Sequence, residues 1–207
     1  MKTQWMFAMM MLFGWTVSYS QSNLQYGLSG GIGLSNFTYS AFDDLPVFNH
    51  DPIMSYNLNA YIGIRPSEKF GLSFEPGYSR RGGKVGLLPG IIPVNASWKM
   101  EYIQLPAMLD FYLTDRISVS AGPELSWRVD SNADFLGLIS DNLDRKFSAG
   151  ILAGVHAALQ DNFDVGVRYH RAFTPVAIVN IPGFGELIKP KLSLHNQYFQ
   201  LVARYRF

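Results

Sequence analysis

The sequence predicts an all-β chain: an eight-stranded antiparallel up-and-down transmembrane β-barrel with short periplasmic turns and long extracellular loops. Three observations carry this expectation. From Leu24 onward, polar and apolar residues alternate with a period of two through eight segments, which is the pattern of strands. The connections alternate between tight turns and long loops, as in a meander whose hairpins open towards opposite ends. Only 16% of the 207 residues are charged, against roughly 25% in an ordinary soluble domain.

Residues 1–20 come first and stand apart. They carry Lys2, an apolar run from Trp5 to Val17 and the small residues Ser18 and Ser20, the layout of a cleaved secretory signal peptide. That run of about thirteen residues is short for a membrane-spanning helix, which needs on the order of 20. The expected division is a signal peptide over 1–20 and a β-barrel domain over 21–207. Loss of Lys2 brings the 17 basic residues down to parity with the 16 acidic ones.

The strands then follow in order. The first runs from Leu24 to Phe37 and the second from Ser55 to Arg65, which the turn Pro66 to Lys69 joins to the third, Phe70 to Arg80. The fourth, Trp98 to Leu113, meets the fifth, Ile117 to Val129, at Thr114 to Arg116. In the fifth, Ile117, Val119, Ala121, Pro123, Leu125 and Trp127 oppose Ser118, Ser120, Gly122, Glu124, Ser126 and Arg128. The sixth, Phe147 to Leu159, places Phe147, Ile151 and Val155 opposite Ser148, Gly150 and Gly154, and turns at Gln160 to Asn162 into the seventh, Phe163 to Phe173. The eighth, Asn196 to Phe207, sets Phe199, Leu201, Ala203 and Tyr205 against Tyr198, Gln200, Val202, Arg204 and Arg206. Long loops are expected over 38–54, 81–97, 130–146 and 174–195. Eight such strands can close on themselves and leave no edge.

Alternation alone does not say which face is inside. The polar face offers mostly Gly, Ser, Asn and Gln with few Lys, too little charge for a solvated exterior but suited to a narrow lumen. The apolar face keeps its character over about the 9–11 residues a tilted strand needs to cross a bilayer. Tyr26, Phe70, Phe111, Phe163, Tyr205 and Phe207 lie by the short turns, and Tyr56, Tyr78, Trp127, Tyr169 and Phe199 towards the loops, which is the arrangement of two aromatic girdles. A net charge of +1 gives no footprint for nucleic acid. The absence of cysteine excludes disulfides, thiolate metal sites and a cysteine nucleophile.

Counted from the short-turn end, Glu75, Glu124, Arg168 and Arg204 face inward in the lower half to middle of the barrel, and a salt-bridge network among these four is expected. A gated proton or ion path through them is the alternative. His156 and His170 also point inward, where a hydrogen-bonded histidine is the expectation. His50 lies near Asp43, Asp44 and Asp51, and Asp130, Asn132 and Asp134 with Asp141 imitate a calcium loop. The imitation fails where Phe135 takes the place of the turn glycine. Ser193 and His195 share the lipid-facing side of the last strand, a spacing common by chance and without an orienting acid. No catalytic residue, metal or cofactor is expected, and the chain is read as not an enzyme.

Several runs carry a family resemblance. Phe74-Glu75-Pro76-Gly77-Tyr78-Ser79-Arg80-Arg81-Gly82-Gly83-Lys84, Tyr102-Ile103-Gln104-Leu105-Pro106, Asp110-Phe111-Tyr112-Leu113-Thr114-Asp115 and Ala121-Gly122-Pro123-Glu124-Leu125 resemble the PorT-like outer-membrane β-barrel family of Bacteroidota. The likeness covers essentially all of residues 21–207, although that family often has Glu where Gln104 stands. It implies a cell outer membrane location, and one branch takes part in a secretion and gliding apparatus. The terminal Phe207 resembles the aromatic ending read by the barrel insertion machinery, which is then an expected partner.

The long loops are unusually apolar, with Phe48 in the first, Leu88, Ile91 and Ile92 in the second, Phe135 in the third, and Ile178, Ile181 and Phe184 in the fourth. Either they extend the sheet and pack into their own cap, or they form a docking patch for another outer-membrane or surface protein. Arg80 and Arg171, with Arg81 and Lys84 just beyond, fall at the loop end of the lipid-facing side, where contacts to lipopolysaccharide phosphates are expected. The leading expectation is an integral outer-membrane protein with a side-chain-filled lumen and a structural or interaction role. The alternatives are an accessory part in secretion, a small-molecule uptake barrel and a lipid A-modifying enzyme.

Overall fold

The structure, a computed structural model, describes residues 24–39, 51–87, 94–132, 146–180 and 191–207. Ten strand segments occupy eight positions in one antiparallel ring: β1 (Leu24–Tyr39), β2 (Ile53–Ile64), β3 (Phe70–Phe74) with β4 (Gly77–Leu87), β5 (Val94–Tyr112), β6 (Ile117–Asn132), β7 (Phe147–Gln160), β8 (Phe163–Ala172) with β9 (Ala177–Asn180), and β10 (Lys191–Arg206). Each position pairs with its neighbours, and β1 pairs with both β2 and β10. The ring is therefore closed. At its short-turn end Phe207 N–H donates to Tyr26 O, tying the last residue onto the first strand.

The third position is one strand interrupted by Glu75-Pro76. Both segments keep a single register on β5, from Phe70↔Phe111 to Leu87↔Val94. Pro76 has no N–H to give, yet its carbonyl accepts from Ala60 N–H and Glu75 N–H donates to Pro106 O. At the seventh position the register on β10 jumps between Gln197↔Arg171 and Leu194↔Ala177. The residues between bulge, and Thr174 Oγ1 accepts from Ala149 N–H across the break.

Residues alternate between exposed and buried as the period of two predicts: β2 alternates at nearly every residue, and Leu28, Leu58, Ile103, Leu105 and Leu201 face outward. Exposed apolar side chains on every wall position leave a continuous lipid-facing surface. Tyr26, Phe70, Phe111 and Tyr205 stand exposed near the short turns, with Tyr56, Trp127, Tyr169 and Phe199 nearer the loops.

Two features depart from the sequence expectation. The strands run past their expected ends, so that β4 continues to Leu87 and β10 begins at Lys191. The interior also changes character with height. Its lower part is polar, but Phe37, Ile53, Trp98, Met100 and Leu194 fill the extracellular end, with the Phe37 and Trp98 rings 5.4 Å apart. β4 contributes to this closure. Its pairing with β2 ends at Tyr56↔Arg80, and it then leans across β2 towards β1, where Gly82 N–H donates to Ser35 Oγ (3.0 Å) and Ser35 Oγ donates to Gly82 O (2.8 Å). A Cβ on Gly83 would stand 2.7 Å from the Phe37 ring, so glycine is what lets the two strands approach.

Candidate functional site

The described chemistry lies in the lumen, arranged as two buried ionic clusters, one above the other. The lower cluster centres on Glu75, which the β3–β4 interruption turns inward, wholly buried. Arg168 on β8 grips it with both terminal nitrogens, each 2.6 Å from a carboxylate oxygen, the bidentate form that suits a planar guanidinium. Arg204 on β10 donates to the same carboxylate at 2.9 Å, and Ser29 Oγ adds a fourth bond at 2.8 Å. Arg204 lies over the Tyr61 ring and within 3.7 Å of Asp164, which also holds Arg206 at 2.7 Å. The lower lumen is thus a run of alternating charges from the periplasmic mouth to mid-barrel.

Glu124 on β6 centres the upper cluster. Arg81 Nη1 donates to it at 2.5 Å and Tyr198 OH at 2.5 Å, with Ser126 Oγ at 3.0 Å. Arg81 also donates to Ser126 and lies over the Tyr102 ring, while His170 stacks on Tyr198 at 4.6 Å. Between the clusters neutral amides take over: Gln104 donates to Asn59, and Asn57 to Gln200.

This geometry corrects two sequence expectations. The four residues Glu75, Glu124, Arg168 and Arg204 do not form one network: three of them meet, and Glu124 pairs with Arg81 instead. Arg81 is 1% exposed and cannot reach lipopolysaccharide. The physical reason is strand length, since β4 continues beyond Arg80 and Arg81 keeps the inward phase of Glu75, Gly77 and Ser79. That phase was present in the sequence, and ending the strand at Arg80 concealed it. Asp164 and Tyr198, also missed, occupy inward positions of strands that were correctly placed.

The remaining residues are placed as follows. Lys84 and Arg171 are exposed, and Arg80 is half-buried on the outer side, opposite Tyr56 and Glu101 in the ladders. Phe207 is 82% exposed at the periplasmic rim. Ile178 belongs to β9, opposite Ser193. Phe48, Leu88, Ile91, Ile92, Phe135, Ile181 and Phe184 lie outside the described residues, as do His50, Asp43, Asp44, Asp134, Asp141 and residues 1–20. No group of three or more His, Cys, Asp or Glu able to hold a metal occurs among the described residues. Ser126, His170 and Glu124 share a neighbourhood, but the Ser126 hydroxyl donates to Glu124 rather than to the histidine, and all three are buried. Removing one partner of such a pair leaves an uncompensated charge, whereas removing both does not. Glu124→Ala should therefore cost about 3–5 kcal/mol in reversible urea unfolding from lipid vesicles, and Arg81→Met with Glu124→Leu should restore most of it. Equal losses in the single and double variants would show that the pair is not what holds the cluster.

Comparison with known proteins agrees with the geometry. Residues 19–177 match the family model described as outer membrane protein beta-barrel domain. No curated protein matches the chain. Among solved structures, the Neisserial surface protein A, NspA, aligns with a TM-score of 0.53 at 18% identity, covering 88% of this chain and 97% of that one. Ail of Yersinia pestis aligns at 0.48 and 15%, covering 89% and 99%, and OprG of Pseudomonas aeruginosa at 0.47 and 12%, covering 89% and 94%. The NspA likeness shows a shared fold, and the family model spans more than half of the chain. A closed antiparallel ring, an apolar outer face and a filled interior meet in that match, and the chain belongs to the outer membrane β-barrel protein family, with its place in the outer membrane.

Proposed function

We propose that this protein is a closed, non-enzymatic outer-membrane barrel whose function is structural or interactive and is exercised at its extracellular loops. The observation that carries this reading is the blocked interior: two ionic clusters fill its middle, and Phe37, Trp98 and the inward lean of β4 fill its mouth. An eight-stranded barrel has just enough interior for its own side chains, and this one spends that space on paired charges. Among the described residues the lumen offers no path for transport, which leaves the outer surface and the loops to do the work.

The non-enzymatic part of the proposal rests on the outer face of the last strand. Ser193 and His195 share that face at a spacing common by chance, and no carboxylate forms an ion pair with His195 among the described residues. Placement among the PorT-like barrels of Bacteroidota rests on the sequence runs alone, and nothing in the described residues favours an accessory role in secretion over docking. The proposed partners are the outer-membrane lipid with its lipopolysaccharide, the machinery that inserts barrels, and a surface or outer-membrane protein received by the apolar loops. Nucleic acid is not among them.

Three measurements test these proposals. Purified protein in planar bilayers should give no sustained channels at neutral pH; steady conductance would overturn the closed-barrel reading. Ile91→Asp with Ile181→Asp should abolish co-purification of a partner from native outer membranes while the barrel stays heat-modifiable on gels, and undiminished partner recovery would sink docking through these loops. Arg80→Glu with Arg171→Glu should weaken lipopolysaccharide retention through purification, and equal retention would leave those arginines as ordinary rim residues.

A further inference from the structure

The lipid-facing wall is not evenly filled. Its outward residues form rows across neighbouring strands, and one row is small: Gly30, Ala203, Val165 and Ala157 stand side by side on β1, β10, β8 and β7, and the row ends at Ile117 on β6. The row above carries the exposed Ile32, Leu201, Val167 and Val155. Along the small row the wall sinks into an almost wholly apolar groove of about 650 Å³, lined by that row and by the larger residues above it.

Nothing in the backbone forces the gap at Gly30. A Cβ on Gly27, Gly31 or Gly33 of the same strand would collide with β10, so those glycines let β1 and β10 approach. A Cβ on Gly30 would meet Asn57 O at 3.5 Å and Leu58 Cδ1 at 3.9 Å, which is ordinary contact. This fourth glycine only keeps the groove open.

The kind of occupant follows from where the groove runs. Ile117 is the first residue of β6, next to the short turn at Arg116, whereas Gly30 is the seventh residue of β1, so the groove climbs from the periplasmic rim towards mid-membrane. Four strand spacings of about 4.8 Å give it a length of roughly 19 Å. A strand tilt of about 40° turns that length into a climb of roughly 12 Å, against about 15 Å for one leaflet of the hydrocarbon core. The groove therefore accompanies the inner leaflet and stops short of the lipopolysaccharide. Membership of the outer-membrane barrels puts this face in hydrocarbon, where partners are selected by packing rather than by apolarity. A single linear chain that starts at headgroup level matches both the slope and the width. The foot of the groove carries both signs of charge, since Arg116 and Asp115 are exposed there, which suits a zwitterionic headgroup better than an anionic one.

We propose that this groove seats one acyl chain of an inner-leaflet phospholipid, with a zwitterionic headgroup at the rim beside Arg116 and Asp115. The seat is independent of the role proposed for the loops, and its test leaves them untouched. The full chain refolded in dodecyl maltoside and incubated with dipalmitoyl phosphatidylethanolamine should retain one molecule per barrel in native mass spectrometry. Ala157→Phe with Ala203→Phe fills the floor with outward side chains and should lower that occupancy about ten-fold, the worth of roughly two buried methylenes. Gly30→Leu, for which the wall has room, should act in the same direction. Ala121→Phe, exposed on β6 outside the groove, should leave retention unchanged, with every variant heat-modifiable on gels. Phosphatidylglycerol should be retained less than phosphatidylethanolamine, and the reverse order would overturn the headgroup assignment. Undiminished occupancy in the floor variants, an equal loss in Ala121→Phe, or a dimer in place of the lipid adduct would overturn the seat itself.

Discussion

In hydrocarbon no water is present to satisfy a backbone amide, so a sheet that crosses a membrane must pair every strand on both sides. The rest of this structure descends from that requirement, met here by β1 lying between β2 and β10. Closure at eight strand positions sets the diameter, and the diameter leaves an interior with room for side chains and little else. Every inward residue then has to meet another across a narrow space. Charges admitted to it must be paired, and the long side chains of Arg168, Arg204 and Arg81 reach carboxylates on other strands.

Those pairs fix more than charge. Glu75 joins the third strand position to the seventh and eighth, while Glu124 joins β6 to β4 and, through Tyr198, to β10. A one-residue slip of any of these strands would carry a charged partner to the lipid side, where it is most costly. The outer face has no comparable means of setting register, because one exposed Leu or Val packs against lipid much like another. Polar specificity inside and apolar uniformity outside are two halves of one arrangement, and the low charged fraction of the chain reflects how few charges it needs.

Much of this was legible in the sequence wherever a period of two ran without interruption. The faces of β6, β7 and β10 could be assigned residue by residue, and the turns at Pro66, Thr114 and Asp161 set the strand order. The site was only half legible. Glu75, Arg168 and Arg204 share a phase that places them inside, but the phase does not say which of several inward carboxylates each arginine reaches. That depends on strand tilt and stagger, which are properties of the closed ring. Arg81 was hidden because the expected strand stops at Arg80, one residue short of it, although the strand continues to Leu87. The apolar upper lumen was hidden for a related reason: Phe37, Ile53 and Trp98 sit at strand ends, where too few neighbours remain for alternation to show their side.

Ser35 makes a junction whose consequence concerns the mouth and the seam together. Its hydroxyl donates to the Gly82 carbonyl and accepts from both Gly82 N–H and the Asn196 side chain, which uses all the hydrogen-bonding capacity a hydroxyl has. Ser35 thereby ties together the first, third and last positions of the wall, and its bond to Asn196 crosses the seam between β1 and β10. Without the β1–β10 pairing the mouth is held by two of its three strands and the ring is open along one side. The seam and the mouth thus share one hydroxyl, and losing either weakens the other.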